Sequence, residues 1–140
     1  MIRFSIFQVT AICLGLFTQT QAFAYECNES DAYKKGREEI ALVRKATMAQ
    51  YGRAVKFVQD AKGVTFEVAL GEVMRTGAAD QTRPYDEQLE TLGAKIKDIK
   101  PDSPQACEAL LLLQRQHAHV GQQKIDFVAK LVTGEDSSAR

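Results

Sequence analysis

The chain has 140 residues with 18 basic and 18 acidic side chains, so its formal net charge is zero. Nucleic acid and anionic lipid both require a basic excess in their partners, so neither is expected to bind. No Gly-rich phosphate loop follows a strand and no nucleophile–base pair can be placed, so neither a cofactor nor an enzymatic activity is expected.

The first 24 residues read as a secretory signal peptide. Arg3 supplies a positive charge before an uncharged, largely apolar run from Phe4 to Phe17, and a polar step at residues 18–21 follows. Ala22 and Ala24 then place small side chains where a signal peptidase has shallow pockets, which predicts cleavage between Ala24 and Tyr25. A spanning helix needs roughly 20 predominantly apolar residues, and Gln8 with the polar step leaves this run too short, so no stable anchor is expected after cleavage. Export to the periplasm or beyond is therefore the expected localisation. The mature chain from Tyr25 loses Arg3 and keeps every acidic residue, and its size suits one domain with its own core. The expected division is a helical domain over residues 25–134 and a flexible tail over 135–140.

The mature sequence carries helical periodicity almost throughout, with proline only at positions 84, 101 and 104. A first helix of about thirty residues starts near Ser30 or Asp31 and stops at Gly63, with Tyr33, Ile40, Val43, Thr47, Tyr51, Ala54 and Val58 on one face. Thr65 caps a second, shorter helix through Phe66, Ala69, Leu70, Val73 and Met74 to Gly77. Residues 64–68 alternate as a strand would, but a lone strand has no partner. The stretch from Gly77 to Pro84 reads as a loop. Pro84 then opens a third helix whose seam is Tyr85, Leu89, Leu92, Ile96 and Ile99. A turn at residues 100–104 leads to a last helix, with Ser103 as N-cap and Gly134 as stop. Its seam runs through Cys107, Leu110, Leu113, His117, Val120, Lys124, Val128 and Leu131.

Removal of the signal leaves two cysteines, Cys27 and Cys107, and an even pair in an exported protein reads as a disulfide. The bridge selects a topology. If the second and third helices ran in opposite directions, the two cysteines would lie at opposite ends of a four-helix bundle, whereas a bridge needs α-carbons within about 7 Å. The expected fold is therefore all-α: an antiparallel bundle of three legs, built from four helices with the middle leg broken near residues 77–84, tied by one disulfide.

Candidate chemistry is sparse. His117 and His119 are two residues apart on a helix, so their rings point about 200° apart and cannot share a metal. The cysteines are too far apart for a redox Cys-x-x-Cys pair. Gly36, Gly52, Gly71, Gly93 and Gly121 fall inside helices at a cost of about 1 kcal/mol each relative to Ala, which suggests close helix–helix contact, most of all at Gly36, Gly93 and Gly121. Phe57 and Phe127 fall off the seams and are candidate contact points. The expected function is a non-enzymatic binding protein whose partner is another envelope or secreted protein. The alternatives are a bundle carrying a small apolar ligand, and an envelope-stress or toxin-immunity type of protein.

Overall fold

Each helix starts and stops where its local chemistry dictates. The computed structural model describes residues 26–134; the signal segment, the Ala24–Tyr25 cleavage site and the tail from residue 135 lie outside them. A 3-10 turn at Cys27–Glu29 leads into α1 (Asp31–Lys62), whose first turn is capped by the Ser30 hydroxyl accepting from Tyr33 N at 3.4 Å. Gly63 ends α1 at φ 63°, in the left-handed region that favours glycine, and Gly134 ends the last helix in the same way at φ 75°. The Thr65 and Ser103 hydroxyls cap α2 (Phe66–Gly77) and α4 (Pro104–Thr133) by accepting from Val68 N and Ala106 N. Residues 66–68, part of the strand-like alternation, therefore open a helix.

The breaker between the halves of the middle leg is tighter than a loop. A 3-10 turn at Asp80–Thr82 runs straight into α3 (Arg83–Asp98), which begins one residue before Pro84. Thr82 is completely buried there, and its hydroxyl reaches the carbonyls of Gly77 at 2.9 Å and Ala79 at 2.8 Å. One side chain thus bridges the end of α2 to the turn that launches α3.

The four helices form the expected three-legged bundle. Cys27 and Cys107 are bonded, with α-carbons 5.5 Å apart, which ties the starts of α1 and α4 together. From that tie the two long helices rise side by side. Gly36 meets Leu111, Glu39 pairs with Arg115 at 2.6 Å, and Ala54 and Val58 share a cluster with Val128 and Ala129. The return leg runs against both. Its first half, α2, lies along the end of α1, where Lys62 pairs with Glu72 at 2.6 Å. Its second half, α3, lies along α4, with Asp86 on Lys124 and Tyr85 on Phe127 at one end and Ile96 and Ile99 near Cys107 and Leu110 at the other. The α4 helix is the hub, packing against each of the other three.

Two apolar clusters fill the bundle, one around the disulfide (Tyr33, Ile40, Leu110, Leu111, Ala118) and one at the far end (Ala54, Val55, Val58, Ala69, Val73, Val128). The seams differ from the sequence reading in places. On α2 only Ala69 and Val73 are buried, while Phe66 and Met74 are more than half exposed, because a single helical face meets α1 and α4. No residue of α3 is fully buried. Phe127 is half-buried against Tyr85, with ring centroids 5.7 Å apart, whereas Phe57 is exposed. Of the helical glycines, Gly36 alone marks a tight approach: a Cβ there would lie 2.9 Å from Leu111 Cδ1 and closer still to Cδ2. Gly93 and Gly121 face open space.

Two stability measurements test this packing. Replacing both cysteines by Ser releases an 80-residue separation, and the chain-entropy relation gives a loss of about 4 kcal/mol in denaturant unfolding. Gly36→Ala should lose about 1–2 kcal/mol because buried Leu111 must leave its rotamer. Gly93→Ala, with nothing near the new methyl, should instead gain about 0.5–1 kcal/mol. Equal effects at the two glycines would contradict the packing of α1 on α4.

Candidate interaction site

The surfaces of α1 and α4 differ in charge. Twelve of the 32 residues of α1 are formally charged, and its outer face is an ordinary solvated one. On α4, Arg115 is the single formal charge between Ala109 and Gln123, and it is held by Glu39 of α1. The outer face of α4 therefore presents Leu112, Gln116, His119 and Gln123, all exposed, with no unpaired formal charge over four turns.

Beside that face lies a cleft of about 540 Å³ between α3 and α4. Leu92 and Val120 form its floor, and Pro84, Glu87, Gln88, Thr91 and Gln116 its walls and rim. The α3 helix packs on α4 without burying any residue fully. Outside the cleft lining, α3 and α4 are also joined by Asp86, whose carboxylate accepts from Lys124 Nζ at 2.5 Å. Lys124, on the core seam by periodicity, keeps only 18% of its side chain exposed, and the Asp86 carboxylate partners its ammonium.

The histidines are not brought together. His117 is half-buried in a shallow groove with Arg44, Thr47, Met48 and Gly121, on the α1 side of α4. His119 is exposed and lies 3.3 Å from Gln123 Nε2. Among the described residues no three His, Cys, Asp or Glu side chains converge as metal ligands, and the two described cysteines are bonded to each other. Two groups have shifted acidities, both for structural reasons. Glu67 is held below the usual carboxylate range by its backbone N–H at the start of α2 and by the Thr65 hydroxyl, and partial burial raises the Tyr51 phenol. Neither group borders the cleft.

Leu112, Lys124 and Thr82 were not singled out as functional by the sequence reading. For Leu112 a signal was present. Residues 110–113 are four consecutive leucines, and a helix cannot turn all four toward one core. Leu110 and Leu111 are buried, and Leu112 is the one left outside at 56% exposure.

No family model, no curated protein and no solved structure matches the chain. Within the described residues, no helix is long and apolar enough to cross a membrane.

The Asp86–Lys124 pair between α3 and α4 can be measured by a double-mutant cycle. Asp86→Asn alone should cost about 1 kcal/mol, because it strips a largely covered ammonium of its carboxylate. In a Lys124→Met background the same change should cost close to nothing. An equal loss in both backgrounds would mean that the two side chains do not act on each other.

Proposed function

We propose that the chain is exported and acts as a non-enzymatic binding protein, and that its partner is another protein docked on the outer face of α3 and α4. The observation that carries this reading is the uncharged, partly apolar face from Leu112 to Gln123 beside the Leu92–Val120 cleft. Depletion of charge with an apolar centre and an amide rim is the composition of the buried part of a protein–protein interface. A solvated helix face has no such reason to exclude Lys and Glu, and α1 of this chain does not. Export is supported by the signal-type N-terminus and by the Cys27–Cys107 bond, which persists in an oxidising compartment.

A small apolar ligand is the second reading, since about 540 Å³ lies within the range of small-molecule sites. It is less favoured because the cleft is open along the outer side of α4 and rimmed by Glu87, Gln88 and Gln116. A stress-sensing or toxin-immunity role would be a special case of protein binding on the same face.

Site-specific photo-crosslinking in the producing cells tests the reading. A photoreactive side chain at position 116 should give discrete protein adducts, while one at the charged α1 position 45 should give few. Equal yields at both positions, or none at 116, would count against the surface.

A further inference from the structure

Asn28 is the one asparagine of the chain, and it opens the triplet Asn28-Glu29-Ser30. An asparagine followed two residues later by a serine or threonine, with no proline between, is the acceptor pattern for N-linked glycans in exported proteins. The pattern needs a chain that leaves the cytoplasm and an acceptor that ends on the surface. The signal-type N-terminus supports the first.

The fold meets the second. Asn28 lies in the Cys27–Glu29 turn ahead of α1, and Glu26, Asn28 and Glu29 are all exposed while Cys27 among them is buried. Asn28 belongs to neither apolar cluster, and it borders an open hollow of about 410 Å³ that Arg37 and Pro101 also line. A sugar on its nitrogen therefore meets solvent and displaces nothing in the core. In the finished fold Ser30 is engaged, its hydroxyl accepting from Tyr33 N as the cap of α1, and Cys27 is bonded to Cys107. The order of synthesis removes both obstacles. Cys107 follows Cys27 by 80 residues, so at about 5–20 residues per second Asn28 is made roughly 4–16 s before the bridge can close.

We propose that Asn28 is a glycosylation site, modified during export by a membrane-bound transferase that uses a lipid-pyrophosphate-linked oligosaccharide. The Asn28 Nδ2 nitrogen bonds to C1 of the first sugar, the C1–O bond to the pyrophosphate breaks, and the lipid pyrophosphate leaves with the electron pair. Nδ2 gives up one of its two protons to a base of the transferase, and nothing is oxidised or reduced. The Ser30 hydroxyl is read by the transferase first and becomes the cap of α1 afterwards, so one side chain serves two successive tasks. The proposal rests on the export of the chain and is independent of the α3–α4 face.

Mass spectrometry of the protein from the extracytoplasmic fraction of the producing cells, reduced and cut with trypsin, tests the site. The peptide over residues 25–34 should be heavier than its sequence by a whole number of sugar residues and should release sugar fragments on collision. Asn28→Gln and Ser30→Ala should each return the peptide to the bare mass of its own sequence. Ser30→Thr, which keeps a hydroxyl and a good cap, should retain the glycan. A chain that begins at Tyr25 with a bare Asn28 overturns the proposal and leaves export standing. A chain that keeps residues 1–24 overturns both, and a sugar that survives Asn28→Gln overturns the assignment to this residue.

Discussion

The bond between Cys27 and Cys107 is the constraint from which the architecture follows. It pins the start of α1 to the start of α4, so two rods of 32 and 30 residues must leave from one point. They rise together, and the chain can travel from the top of one to the foot of the other only through a descending leg of the same length. Neither half of that leg is long enough alone: α2 has 12 residues and α3 has 16. Stacked end to end through the Asp80–Thr82 turn they suffice, and the buried Thr82 hydroxyl fixes the joint, within hydrogen-bond reach of the Gly77 carbonyl at the end of α2 and of the Ala79 carbonyl in the turn.

The break also distributes burial unevenly. The first half of the leg sits in the angle between α1 and α4 and buries Ala69 and Val73 completely. The second half leans on α4 and buries no residue fully. The cleft lies between this half and α4, beside the exposed face of α4. Around the disulfide and at the far end the inner faces close into two apolar clusters, so the cleft is a surface feature and not an extension of the core. The binding role proposed for this face rests on the charge pattern of α4 beside the cleft.

What was legible in the sequence was what is local or what a single distance decides. Thr65 and Ser103 as caps and Gly63 and Gly134 as stops act within one helical turn, and all four stand where their side chains or their lack of one would place them. The topology was readable because a bridge between the two cysteines tolerates one arrangement of the legs and excludes the other. Glycines were not readable individually, since Gly36 and Gly93 look alike until Leu111 is seen beside the first and nothing beside the second. Lys124 has the periodicity of a core residue, and only the tertiary position of Asp86 shows how its ammonium is satisfied. The cleft depends on how α3 and α4 pack in three dimensions, which no residue pattern encodes, although the four leucines at 110–113 indicate that one of them must face outward.

The covalent tie and the proposed export can be tested together. Intact-mass and peptide-mapping spectrometry, on protein recovered from the extracytoplasmic fraction without reduction, reads both at once. The account requires a chain beginning at Tyr25 whose Cys27 and Cys107 peptides are covalently joined. A chain that retains Met1, or one whose Cys27 and Cys107 are both free to alkylate, would contradict it.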